Sequence, residues 1–412
     1  MGHHTPPAKD DHLRPATLLH KFTQFIDGDS AGRTSPAAPG TSGDLDVIYE
    51  DGEGGDDRRE PLMRTSSLES KSYVVNVIEP GGTLALIVGG DRGVRKLIVS
   101  TAVKKLSPRW KDVVARSKRE GFRGEKRVRL SDDDADMMLL VMHIAHHLYE
   151  RVPKTLDFDQ LLGIARICNR YDMNSMIIPF VADWMALHQP KILRVGYEQW
   201  LYIAHQFGKE ADYLRLAKHL AFYCRINAEK QLLVPGTDRV LDGCFPEGCL
   251  AAIRHVRVKT LVSFLETMYS QVTRMVDGNS CEAGDTAQSL PETDERTMCT
   301  LYNHGFMIRY FKMQGYWPPV PNAGVIEESV LEVAHRLTDI PPIHMPSLRH
   351  DSVTSKVASI QSTTPPSQHE ACDAGKILKV KIKKLIEATE APVEAHTLEE
   401  MRSNARKFGW ET

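Results

Sequence analysis

The amino-acid sequence predicts an α+β fold: a small sheet covered by helices, continued by a mostly α-helical C-terminal region and preceded by a disordered tail. Three observations carry this expectation. Two short β-branched runs, Leu84–Val88 and residues 94–99, flank the string Gly89-Gly90-Asp91-Arg92-Gly93, which has the composition of a tight hairpin loop. Beyond residue 135, apolar residues recur at spacings of three and four through most of the chain. Residues 1–71, in contrast, are rich in Gly, Pro, Ser and Asp with almost no apolar periodicity, so no buried surface offsets the backbone entropy of ordering them.

Within that tail, Leu18, Leu19, Phe22 and Phe25 have helical spacing, read as an isolated apolar cluster rather than a helix seated on a partner. Leu45, Val47 and Ile48, followed by Glu50, Asp51, Glu53, Asp56 and Asp57, resemble the segment by which partners bind small ubiquitin-like modifiers. There an extended strand adds to a sheet edge and its acidic flank meets a basic rim. Arg64-Thr65-Ser66-Ser67 has the look of a basophilic kinase site, although serine-rich linkers produce such strings by composition alone.

After the hairpin, Ala102, Val103 and Leu106 give a helix one apolar face, and Trp110 extends it past Pro108, which either kinks the helix or opens its second turn. Residues 127–130 form a third strand with Val128 and Leu130 on one side. Ser131 and the run Asp132, Asp133, Asp134 then cap a helix that is apolar nearly all round, since carboxylates accept the orphan amide protons of a helix start. Past Pro153, residues 159–171 resume as a helix with Leu161, Leu162, Ala165, Cys168 and Tyr171 on one face. Another starts at Asn174, with Ile177, Ile178, Val181 and Trp184 as its stripe and Pro179 near the first turn.

This order of elements resembles the BTB (POZ) domain, in particular the BTB proteins abundant in filamentous fungi. The residues that carry the resemblance are LIVGG at 86–90, VSTAV followed by LSPRW, RVRLSDDDAD, the pair His146-His147 after Ile144, and LLGIARICNRYDM at 161–173. The likeness covers roughly residues 72–184, and the domain is drawn at 72–188. It implies a non-catalytic protein-protein interaction scaffold or regulatory adaptor, acting as a homodimer or hetero-oligomer through the BTB domain. Its alternative is a substrate adaptor of a cullin-type ubiquitin ligase, in which the BTB face and the next helical pair hold the cullin.

Residues 189–340 follow as the helical C-terminal region. Trp200, Leu201, Ile203 and Ala204, then Leu214, Leu216, Ala217, Leu220 and Phe222, predict an antiparallel pair joined at Gly208. Residues 250–276, with Ile253, Leu261, Phe264, Leu265, Met268, Val272 and Met275, predict a long amphipathic helix, whose Arg254, His255, Arg257 and Lys259 belong by default to a solvated face. Residues 298–313 and 326–337 give two further helices. A Pro-, Ser-, Thr- and His-rich linker spans 341–374, and 375–412 hold a basic amphipathic helix with Leu378, Ile382, Leu385 and Ile386, free to dock, to target or to float.

Composition narrows the function classes. An apolar share of 42% permits a real core, and a formal net charge of -2 gives no general pull toward nucleic acid or an anionic membrane. Seven scattered cysteines favour a reducing compartment over a disulfide framework. With no apolar run of bilayer length and a polar N-terminus, the expectation is a nuclear or cytoplasmic protein.

Chemistry-bearing motifs are sparse. The loop at 89–93 leads into a strand, whereas a phosphate cradle opens a helix, so its glycines serve the hairpin. No nucleophile elbow or HExxH string is present. His143 and His147 lie one turn apart without a third ligand nearby, which favours packing and hydrogen bonding at a helix end. Cys281, Cys299, His369 and Cys372 have the donor types of a tetrahedral zinc set, with His304 and His350 as spare donors. They lack the short CxxC pairs of zinc modules, and Cys299 buried in its helix with the others in loops outweighs a site. The sequence therefore assigns no catalytic, cofactor-binding or metal-ligating residue.

Overall fold

The computed structural model describes residues 74–90, 93–116, 118–119, 126–278, 281, 293–317, 321–343 and 369–410. The tail segments at Leu18 to Phe25, at Leu45, Val47 and Ile48, and at Arg64 to Ser67 lie outside the described residues, as do His350 and most of the 341–374 linker. The described residues form one compact α+β unit.

Its sheet contains β1 (Val74–Val77), β2 (Leu84–Val88), β3 (Arg95–Val99), β4 (Lys118–Arg119) and β5 (Lys126–Leu130), in the spatial order β1-β3-β2-β5-β4. β2 and β3 form the expected antiparallel hairpin, with Leu84 opposite Val99 and Val88 opposite Arg95. Gly89 explains the loop: its φ of +97° belongs to glycine, and a Cβ there would lie 2.1 Å from the Gly93 carbonyl oxygen. β5 adds to β2 in parallel, and β1 adds to β3 in parallel. Leu84, Ala85 and Leu86 are all wholly buried, so both faces of the sheet are covered at its centre.

Ser100 caps a 3-10 turn at Thr101–Lys105, and Ser107 opens α1 (Pro108–Ala115) by accepting from the Trp110 amide at 3.0 Å. Pro108 therefore takes the first position of a new helix, where a missing amide proton costs nothing, in place of the kink or second turn of one continuous helix that the sequence suggested. Trp110 is wholly buried and meets the Tyr171 ring edge-on, with centroids 5.0 Å apart.

The aspartate run divides its labour. Asp134 alone caps α2 (Ala135–Ala145), accepting from the amides of Asp136 and Met137 at 2.9 Å each. Asp133 turns inward, pairs with Arg170 at 2.7 Å and accepts from the Tyr171 hydroxyl. Both partners lie at the end of α3 (Phe158–Tyr171), so this group fastens the start of one helix to the end of the next. α4 (Asn174–Ala186) follows. Pro179 lies inside it, beyond the first turn where the sequence had placed it.

The helical region begins with α5 (Trp200–Gln206), α6 (Glu210–Tyr223) and the long α7 (Cys249–Asp277), continues with α8 (Thr293–Met313) and α9 (Val330–Thr338), and ends with α10 (Ala374–Ala388) and α11 (Ala395–Phe408). α6, α8, α9 and α10 all pack on α7. Arg257 departs from the expected solvated face of α7. It is wholly buried and donates to the carbonyls of Cys224 at 3.4 Å and of Ile326 and Glu328 at 2.6 Å each.

Of the three fates open to the basic helix, α10 has docked, with Leu378, Ile382 and Ile386 buried and Lys381 donating to Gln271 of α7 at 2.6 Å. α11 returns to the first half of the chain, against α4, α5 and α6. Gly208 makes this approach feasible: a Cβ there would sit 2.3 Å from the Ala405 amide nitrogen. Trp410 then donates its indole N–H to the Phe207 carbonyl at 2.7 Å, and the Lys209 ammonium lies 3.3 Å from the centroid of the Trp410 ring.

Candidate metal centre

Three stretches of chain meet beside the far end of α7. Cys281 lies just past that helix, Cys299 on the second turn of α8, and His369 and Cys372 on the short turn that leads into α10. That turn is closed by the Cys372 amide donating to the His369 carbonyl at 3.0 Å, which brings both side chains to the same side of it. Asp373 then caps α10 by accepting from the Gly375 and Lys376 amides at 2.9 and 3.2 Å, so the ligand-bearing turn is fixed to a helix start.

Asn303, one helical turn beyond Cys299, connects the parts. Its amide nitrogen donates to the Cys299 carbonyl at 3.0 Å and lies 3.7 Å from the Cys299 sulfur. Its carbonyl oxygen accepts from the Ala374 amide at 3.0 Å. A single buried side chain thereby sets the distance between α8 and the N-terminus of α10 and aims a donor at one sulfur.

The four candidate donor atoms, Sγ of Cys281, Cys299 and Cys372 and a ring nitrogen of His369, all lie within 4.8 Å of one another. Cys281 Sγ is 3.3 Å from His369 Nδ1 and 3.7 Å from Cys372 Sγ. Tetrahedral geometry with zinc–sulfur bonds of about 2.3 Å puts ligating sulfurs roughly 3.8 Å apart, close to the sulfur separation found. A disulfide needs about 2.05 Å, and none of the chain's seven cysteines is in one. Cys281, Cys299 and Cys372 are 7%, 1% and 6% exposed, so the sulfurs face each other and not water. Burial, reinforced by Cys281 and Cys372, pushes the Cys299 thiol up to about 12. Three thiolates brought this close would repel one another, and a divalent cation at their centre offsets that charge. With two cysteines, a histidine and a third cysteine already converging, a tetrahedral ion has no position left for substrate, and the arrangement is suited to joining segments.

The sequence weighed these four residues as a zinc set and settled on the alternative, because their spacing spans 91 positions between Cys281 and Cys372. Proximity here comes from the packing of α8 and α10 against α7, which no local string encodes. His304 stays apart from the cluster, its Nε2 buried without a hydrogen-bond partner. His143 and His147 do not share a helix face, since α2 ends at Ala145 and His147 lies beyond it at a φ of +57°; at this helix end His146 Nε2 accepts from the Ser100 amide at 3.1 Å while its Nδ1 donates to the Met142 carbonyl at 2.8 Å, and His147 Nδ1 lies 2.8 Å from the Tyr149 hydroxyl. Among the described residues, no other group of His, Cys, Asp and Glu assembles as a candidate metal set, and no helix is long and apolar enough to cross a membrane.

No family model matches this chain, and neither a curated protein nor a solved structure matches it.

Proposed function

We propose that the protein is a non-catalytic association module, a scaffold or regulatory adaptor that binds other proteins through a BTB-type α+β unit. The observation that carries this reading is strand β1. Val74, Val75 and Val77 are 57%, 56% and 56% exposed at the edge of the sheet, and β1 pairs with β3 alone among the described strands. An edge strand with open backbone groups and exposed valines is what another chain pairs with, and proteins that remain solitary blunt such edges with charge or proline. The hairpin, helix, parallel strand and helices α2 to α4 support the BTB part of the reading, because they follow in the order on which the resemblance rests. The closed donor set described above is consistent with a protein that joins and positions rather than turns over a substrate. A reducing compartment, nucleus or cytoplasm, suits seven cysteines of which none is in a disulfide.

The test is the mass of the full chain by light scattering, beside affinity purification with the wild type and a Val75→Lys/Val77→Lys variant. The expected results are a mass above that of one chain, or a set of co-purified proteins, either of which is lost in the variant. Recovery of a cullin would select the ligase-adaptor form of the reading. A monomeric mass at micromolar concentration, together with identical recoveries for both proteins, refutes β1 as the association surface.

A further inference from the structure

We infer that Cys281, Cys299, His369 and Cys372 bind a structural zinc ion that fastens the exit of α7, the body of α8 and the start of α10 into one unit. The inference is independent of the association reading, since it concerns how the helical region is held and not what the sheet edge meets.

The argument runs from donors to geometry to consequence. Sulfur-rich tetrahedral sets select zinc or iron–sulfur centres over the hard cations, which take oxygen ligands. A multi-iron cluster distributes its four protein ligands over more than one iron and so spreads them apart, whereas one ion at the middle of four atoms within 4.8 Å accounts for the set. Supporting contacts of the kind that position metal ligands are present in the Asn303 amide beside the Cys299 sulfur and in the Asp373 cap behind Cys372. Binding exchanges three thiol protons for one Zn2+, with the imidazole bound neutral, so the occupied centre carries a net charge of one negative unit. The Ala374 amide at the start of α10, held by Asn303, places the positive end of that helix beside this charge.

The ion would also explain why these residues are buried where they are. Cys281 stands beyond the end of α7 yet is 7% exposed, and its sulfur lies beside residues almost ninety positions away. A ligand bond provides a reason for a loop residue to be held there that apolar packing of one small side chain does not.

The decisive measurement is metal content of the full chain, purified without chelator or metal-affinity resin, by inductively coupled plasma mass spectrometry. One zinc per chain is expected, and replacement by cobalt(II) should give the intense visible bands and sulfur-to-metal charge transfer of a tetrahedral thiolate site. Cys281→Ser/Cys372→Ser should lose both signals, His369→Ala should weaken retention against a chelator by on the order of tenfold or more, and His369→Cys should restore it. Should the double variant fail to fold, the wild-type stoichiometry and cobalt spectrum still decide the matter. Zinc below about a tenth of an equivalent, a Cys281–Cys372 disulfide found by peptide mapping of unoxidised protein, or undiminished zinc in a folded double variant each overturns the inference.

Discussion

Arg257 carries a full charge into the centre of the helical region and finds three carbonyl oxygens there instead of a carboxylate. Those carbonyls belong to the end of α6 and to the segment before α9, so one side chain fixes both to α7. Truncation leaves them without their donor and opens a large cavity, and Arg257→Ala is expected to lower the unfolding free energy by about 3 kcal/mol or more in urea titrations. His219 is a second residue whose environment sets a measurable property. It stacks on Tyr223 with centroids 4.2 Å apart, and burial, with the Arg215 charge as a lesser cause, pulls its pKa down to about 4. A depressed histidine favours the neutral form when folded, so stability is full above the ordinary value near 6.5 and declines as pH falls from there toward 4. Acid titrations of folding stability should show a loss of roughly 2 kcal/mol across that window, and His219→Phe should flatten it. Neither role was legible in the chain: periodicity distinguishes faces of a helix, but it does not say that one arginine of a polar stretch will point at carbonyls contributed from 33 and 71 positions away.

At the scale of elements, the legible features are those whose cause is local. The hairpin was read from β-branched runs around glycines and the start of α2 from its aspartate run, whereas the Ser107 cap that opens α1 and the Asp157–Gln160 capping box of α3 are equally local but went unread. β1 was missed because its valines are exposed and give no alternation to read, and β4 because two residues make no pattern. Helix fates were equally hidden. The sequence of α10 left docking, targeting and floating open, and its Leu378, Ile382 and Ile386 bury one face against α7. The metal candidates illustrate the same limit, since their residue types were visible and their convergence depended on three helices packing first. Gly208 gives the element scale its sharpest test. Its φ of +70° and the Ala405 backbone 2.3 Å from a hypothetical Cβ oppose any side chain there. Gly208→Ala is expected to cost about 2 kcal/mol and, in hydrogen exchange, to expose the amides of α11 before those of the sheet.

For the molecule as a whole, the connection between the last helix and α4, α5 and α6 matters more than any single domain boundary. α11 contributes Met401, Ala405 and Phe408 to a surface formed by α4, α5 and α6, with Phe207 and Phe408 edge to face at 5.3 Å. Removing residues 395–412 should therefore lower the melting temperature of the remainder by several degrees, on the order of 5 °C, and raise binding of an apolar dye. Unchanged melting would mean that α11 only rests on that surface. The contrast with residues 1–71 is one of composition: α11 has an apolar face with a matching groove, whereas that stretch has little apolar periodicity beyond Leu18, Leu19, Phe22 and Phe25.

The approach of α11 to Gly208 also sets an order of events during synthesis. Phe207 and its neighbours emerge from the ribosome just over two hundred residues before Phe408 and Trp410, a delay on the order of 20 s at ordinary elongation rates. For that interval the nascent chain carries an apolar groove whose own cover has not yet been made. A chaperone that recognises exposed aromatic surface would have its natural opportunity there, and a message truncated upstream of α11 would leave the opportunity permanently open.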